Sequence, residues 1–340
     1  DDFENLYPGC HSIEGDVEIH GWGIQNLDGL NFLQYIGGNL DISNVSNLEI
    51  LNGLNNLTYI GEDFVIENTG ITELSGFNSL VETGNDLSIE NNSDLANITG
   101  LESLIEIGDD LIVNNNTNLT SVTAMNSLTT IQDDCYFIEN TNLATLSGLN
   151  GLQHLGGKLQ IADSYYLTDL NSLSSLTSMD GSLIIQNNIQ LASLNGLGNI
   201  QSGSLQSLII EDNSALEECA IECICDYLLS PTGTLRIENN ASGCNSTEEV
   251  EQACLYISVF NQKFNDYISV FPNPTENIIF IECATGVNIH EANLYTLNGE
   301  TISGIHINNF EIDVSKIANG LYVLEVISSK AVSRFTIQIN

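Results

Sequence analysis

The residues best placed to do chemistry in this sequence are carboxylates that recur at one position of a repeat. Align the segments that begin at Ile36, Ile60, Thr83, Ile107, Ile131, Leu155 and Met179, whose starts lie 24 residues apart and once 23. One column then reads Asp63, Asp86, Asp110, Asp134 and finally Lys158, with Glu62, Asp109 and Asp133 beside it. If each segment is one turn of a stacked coil, neighbouring carboxylates lie one strand spacing apart, ~4.8 Å. Like charges at that distance repel by ~1 kcal/mol per pair even in water. A Ca²⁺ ion would relieve the repulsion, because hard cations take several carboxylate and carbonyl oxygens in flexible geometry. Lys158 would close the column with the opposite sign. The competing expectation is that the side chains splay into solvent and are screened by salt. No EF-hand or glycine–aspartate calcium motif is present, so the expected cofactor set is empty apart from this possible Ca²⁺ ladder.

The second reactive group is cysteine. Five of the eight, Cys219, Cys223, Cys225, Cys244 and Cys254, fall within 36 residues. No histidine lies between 155 and 289, and Cys223 and Cys225 are separated by one residue, where zinc sites use two to four. Dense cysteine without such partners points to disulfides made in an oxidising compartment. Four cysteines allow three pairings. The pairing expected is Cys219 with Cys244 and Cys225 with Cys254, leaving Cys223 as a thiol. Cys135 replaces a core leucine and Cys283 alternates with apolar residues, so both are expected to be buried thiols.

Little else could catalyse. There is no nucleophile elbow, zinc helix motif or phosphate loop. The five histidines are scattered, and before residue 256 the only cations are Lys158 and Arg236. A solenoid lyase needs a Lys or Arg base near acidic calcium ligands. No enzymatic activity is therefore expected. Asp and Glu number 45 against 6 Lys and Arg, a net charge of −39. Such a chain cannot neutralise phosphates, which argues against nucleic acid, and anionic membrane surfaces are disfavoured for the same reason. No apolar run of 18 residues exists to span a bilayer.

The elements that must position these residues follow from the repeat, roughly I-G-x-D-L-x-I-x-N-N-x-x-L-x-x-L-x-G-L-x-x-L. Its L-x-I piece, as in Leu87 and Ile89 or Leu111 and Val113, has the period of a strand with one buried face. The Asn pair that follows, as in Asn91-Asn92, suits a turn because Asn tolerates the left-handed region. One repeat cannot bury its apolar side alone, so the turns must stack into a continuous core. Residues 10–255 resemble the leucine-rich repeat and, more closely, the receptor L-domain. The resemblance implies a mainly β fold, a right-handed β-solenoid of about nine ~24-residue turns. Leucine-rich repeat proteins often end in Cys-bridged caps, and the cysteine cluster sits where that cap belongs. It would hold a short helix over 225–229 and a second from Ser246 or Thr247 to Cys254.

After Cys254 the leucine beat stops. The domains expected are a solenoid with its N-terminal cap over 1–218, a Cys-rich cap over 219–255, a linker over 256–267 and a small β-sandwich over 268–340. The last reads as short alternating strands with turn signals at Asn298-Gly299 and Asn319-Gly320. Three motifs stand there in order: VFPNPT at 270–275, LYTLNGETI at 294–302 and IDVSKIANGLYVLEV at 312–326. They resemble the type IX secretion sorting domain of Gram-negative bacteria. The matching positions are Phe271, Pro272, Asn273, Pro274, Gly299, Gly320 and Tyr322. The resemblance implies that an outer-membrane translocon reads residues 268–340, and that the chain passes through the periplasm to the extracellular space or outer cell surface. The function expected is a secreted or surface module for adhesion or for binding an extracellular protein or glycan. The alternatives are a non-catalytic fragment of a larger secreted enzyme and a structural spacer.

Overall fold

The computed structural model describes the chain apart from residues 1–5, 202, 261–267, 276, 284–287, 298, 303–306, 309 and 329–331, and gives the backbone alone for 255–260, 307, 308, 328 and 332. The chain divides into two compact units, Asp1–Glu251 and Gln252–Asn340.

The first unit is a β-solenoid of about nine turns. Ten parallel strands stack in chain order, from Val17–His20 through Leu111–Asn114 and Cys135–Ile138 to Leu235–Glu238. The register places equivalent apolar residues on one another: Leu87, Leu111, Cys135, Leu159, Leu183 and Leu208 form one row. A second parallel sheet of eight two-residue strands, Ser12–Ile13 to Ser178–Met179, forms another wall. Single 3-10 turns such as Asn52–Leu54 and Asn171–Leu173 complete some coils. This is what a stretch interrupted by Gly and Asn allows, because too few residues are free to sustain an α-helix. Leu, Ile and Phe side chains fill the interior and are buried, most of them completely.

Where a repeat carries two asparagines, they do different work. The first takes the left-handed conformation, as at Asn91 (φ 59°) and Asn115 (φ 52°). The second turns into the core. Asn116 Nδ2 donates to the Ile89 carbonyl at 2.7 Å, and its Oδ1 accepts the Asn92 amide at 3.1 Å. Asn140, Asn188, Asn213 and Asn240 repeat the bond to a carbonyl of an earlier turn, at 2.8–2.9 Å. A buried column of amides thus satisfies backbone groups that the sharp turn leaves without a ladder partner. Ser164 stands in this column in place of Asn, and its buried Oγ has no partner.

The cap is a helix α1, Glu222–Leu229, the last long-sheet strand, and a helix α2, Thr247–Phe260. Ser246 is the N-cap of α2: its Oγ accepts the Glu249 amide at 3.3 Å. Glu249 reaches back to the Gly243 and Asn245 amides at 2.7 and 3.1 Å. The helix does not stop at Cys254. It enters the segment expected as a linker, because Ala253–Phe260 contains no Gly or Pro to end it. The remainder of that linker, 261–267, lies outside the described residues.

The second unit contains two antiparallel sheets around one core. One runs Ile268–Phe271, Ile278–Cys283, Glu311–Asp313, Ile307–Asn308; the other runs Ile289–Thr296, Gly320–Ser328, Val332–Ile339. Ile279, Ile281 and Ile312 from the first meet Leu294, Leu324, Val326 and Ile337 from the second, so the unit is a small β-sandwich.

Candidate functional site

The acidic column is a hydrogen-bonded ladder. Asp110 accepts the Asp134 amide on Oδ1 at 2.8 Å, Asp86 accepts that of Asp110 at 2.9 Å, and Asp63 that of Asp86 at 3.4 Å. The ladder begins earlier than the carboxylates suggested. Asp16 accepts the Asn39 amide at 2.8 Å, and Asn39 that of Asp63 at 2.9 Å. It ends where Asp134 accepts the Lys158 amide at 2.5 Å. The position lies one residue before each strand, where an amide points along the stack, and a short side chain with an acceptor oxygen reaches it. The expectation that these carboxylates splay into solvent is therefore corrected: each of the four keeps one oxygen on the next turn.

The charge still matters. Burial, then neighbouring carboxylates, push Asp86 and Asp110 above the usual carboxylate range, against the amide each accepts. Desolvation, then Asp134 and Asp109, push Asp133 up as well. Burial acts upward on Asp134 too, but the Tyr136 hydroxyl and the Lys158 amide and ammonium outweigh it and hold Asp134 low. Two trios bring carboxylate oxygens within 4.8 Å of one another: Asp86, Asp109 and Asp110, and Asp110, Asp133 and Asp134. These are the residues that could hold a hard cation. Asp63 belongs to neither trio, whereas Asp109 and Asp133, read from sequence only as added density, do.

At the end of the ladder three side chains close on one another. The Tyr136 hydroxyl donates to Asp134 Oδ2 at 2.6 Å, and Lys158 Nζ lies 3.3 Å from the same oxygen. Lys158 Nζ also donates to the Tyr136 hydroxyl at 2.8 Å and sits 4.5 Å from the ring centroid. Burial acts to lower the Lys158 pKa, yet its bonds to Tyr136 and Asp134 raise it. Burial and the Asp134 bond raise that of Tyr136. At neutral pH the ammonium is charged and the phenol is protonated, so neither is poised as a base.

Tyr136 belongs to the outward row of the long sheet, which the leucine pattern hid because it occupies the variable position of L-x-I. In register the row reads Ile112, Tyr136, Gln160, Ile184, Ile209 and Arg236. Arg236 pairs with Glu211 at 2.9 Å. The earlier turns of the same row carry Glu18, Asp41, Val65 and Ser88. The row two residues further along the strands carries Glu67 and Glu90 at that end and Glu211 and Glu238 at the other, so the apolar, amide and aromatic stretch from Ile112 to Ile209 lies between acidic ends.

In the cap, Cys219 and Cys244 form a disulfide, with Cα atoms 5.7 Å apart. Cys225 and Cys254 are each disulfide-bonded as well. Cys10, Cys135, Cys223 and Cys283 are outside the disulfides. Cys135 and Cys223 are buried, and Cys283 is only partly so. Burial pushes the Cys223 thiol up to about 12 and raises that of Cys135 still further, so both are inert.

In the sandwich, the segment of Pro272, Asn273 and Pro274 is stitched to the last strand. Asn273 Nδ2 donates to the Thr336 carbonyl at 2.6 Å, and its Oδ1 accepts the Gln338 amide at 2.9 Å. Phe271 stacks on Phe280. Gly299 takes a positive φ of 81° and its amide closes a turn on Thr296, while Asn298 beside it lies outside the described residues. Gly320 is not a turn glycine: it opens the strand Gly320–Ser328, where a Cβ would lie 3.5 Å from the Tyr322 ring. The Tyr322 hydroxyl donates to the Ala318 carbonyl at 2.7 Å.

Comparison with protein families matches residues 9–95 to the receptor L domain and residues 269–340 to the secretion system C-terminal sorting domain. No curated protein matches the chain significantly. Among the described residues no helix is long and apolar enough to cross a membrane. The sorting domain implies export through type IX secretion to the cell surface or the extracellular space. The chain thus carries a receptor L domain, continued by further turns of the same solenoid, and a type IX secretion sorting domain at its C-terminal end.

Proposed function

We propose that this protein is a non-enzymatic binding module of a Gram-negative bacterium, which crosses the periplasm and uses the outward face of its long sheet to hold an extracellular protein. One observation carries the reading. Within an acidic surface, Ile112, Tyr136, Gln160, Ile184 and Ile209 form an uninterrupted apolar and amide row on rigid strands, framed by the Lys158–Asp134 and Arg236–Glu211 pairs. Aromatic and apolar side chains held flat on a scaffold suit the centre of a protein interface, with charged pairs as its rim. A glycan would call for more hydroxyl and amide partners than this row supplies.

The non-enzymatic part of this reading rests on the Asp134–Tyr136–Lys158 cluster, which among the described residues resembles an acid–base site but whose three groups are satisfied by one another as a paired rim. No resident cofactor is part of the reading. The experiment is a binding screen of the exported chain against extracellular proteins and an array of glycans. Saturable binding to a protein supports it. Binding to glycans alone replaces the ligand class, and binding to nothing leaves a spacer.

A further inference from the structure

The two outward faces of the C-terminal sandwich are finished differently. On the three-stranded sheet the side chains close on one another. Arg334 Nε and Nη2 each lie 2.8 Å from Glu325 Oε2, and the Tyr295 hydroxyl donates to Glu325 Oε1 at 3.2 Å. The four-stranded sheet has no such network among its described residues. Its outward side presents Phe271 and Phe280, paired directly in register and stacked with ring centroids 5.8 Å apart, with Ile278 two residues away on the same strand. Phe271 is 46% exposed and Phe280 and Ile278 are each 37% exposed. Three large apolar side chains grouped in this way on a polar surface mark an interaction site.

The rim of this patch is mainly acidic, with Lys316 near Asp313 as a partial offset. Glu282 follows Phe280 on the outward side, Glu311 lies opposite Phe280, and Asp313 lies opposite Ile278. All three are exposed. No Lys or Arg occurs in the four strands of the sheet. A partner that covers the patch must therefore offer apolar side chains at its centre and cations around them. The patch lies inside the sorting match, on the unit's first two strands, with its rim completed by the strand that pairs with the second of them.

We propose that the Phe271–Phe280–Ile278 face is where the secretion machinery docks, through a receptor surface that is apolar at its centre and basic at its rim. The proposal rests on the reading of residues 269–340 as a sorting domain, and the test separates the two. The full chain is expressed in its host in five forms: unaltered, lacking residues 268–340, Phe271→Ser with Phe280→Ser, Glu282→Lys with Glu311→Lys, and Leu321→Ser on the other sheet. Exported and cell-retained protein are quantified, and protease resistance reports folding. The expected result is retention of the truncated chain. Export of the double serine variant should fall by about tenfold, as expected when a central anchor is removed from an interface. The charge-reversed variant should lose export by several-fold, and Leu321→Ser should not. Glu282 and Glu311 are both exposed, so the charge-reversed pair carries the test if the serine variant fails to fold. Export of the charge-reversed variant and of a folded serine variant at the unaltered level, with the truncated chain retained, would overturn the face and leave the sorting role standing. Export of the truncated chain would overturn both.

Discussion

The Asp110 Oδ1 atom accepts the backbone amide of Asp134 at 2.8 Å, one full turn further along the solenoid. This single bond explains the column. What the position demands is a short side chain with an acceptor oxygen, which is why Asn39 and Asp16 serve at its start as well as Asp63 and Asp86. A carboxylate bonded to an amide gains roughly twice what a neutral acceptor would, which offsets much of the repulsion between turns.

The acceptor and the charge can be separated by substitution. Asp110→Asn keeps an oxygen in place and removes a charge, so its stability should stay within about 0.5 kcal/mol of the parent or rise. Asp110→Ala strips the Asp134 amide of its partner and should destabilise by about 1–3 kcal/mol. Urea denaturation of the two variants checks this, and equal destabilisation would contradict it.

Acid should stabilise the solenoid before it unfolds it. Asp86, Asp110 and Asp133 have raised pKa values relative to the ordinary 3.8. The folded state binds protons more readily at these groups than the unfolded state does. Their contribution to stability is therefore fully present below 3.8 and is lost as pH rises through the folded values. Asp134 is lowered, so its contribution is present above 3.8 and is lost only as pH falls through its folded value. The melting temperature should rise as pH falls from neutral through the raised folded values of these three groups. It should rise less in a variant carrying Asp86→Asn, Asp110→Asn and Asp133→Asn.

Calcium should matter little. Each of the four predicted ligands already holds an amide, and Asp63 stands outside both trios. Melting at low ionic strength, where repulsion is least screened, should give equal midpoints in calcium and in chelator. A calcium-dependent rise abolished by Asp110→Asn would assign the trios to a metal.

Ser164 marks a seam in the core. Its neighbours in the column, Asn140 and Asn188, each donate to a carbonyl of an earlier turn, whereas the Ser164 hydroxyl has no partner. Ser164→Asn should extend the column and stabilise by about 1 kcal/mol. A drop in stability would show that this turn is too tight for the amide.

Much of this was legible in residue types. The Leu positions, the stacking and the sandwich strands follow from period and from turn residues. The role of the Asp column was not legible, because an amide directed along the stack leaves no mark in its own residue; only Asp16 and Asn39 in the same column hinted at it. Asn92 and Asn116 look like turn residues beside Asn91 and Asn115, yet they are core. Tyr136 and Lys158 lie 22 residues apart, so the chain shows them together only once its turns are stacked.

The binding role is tested most directly by mapping affinity for a protein ligand of the exported chain onto its two walls. Tyr136→Ala and Ile184→Asp, on the outward row of the long sheet, should each weaken binding by about tenfold or more. Tyr59→Ala and His154→Ala, on the short-sheet wall, should leave it unchanged. Full affinity in the long-sheet variants, with weakened binding in the short-sheet ones, would contradict the assignment of the binding face.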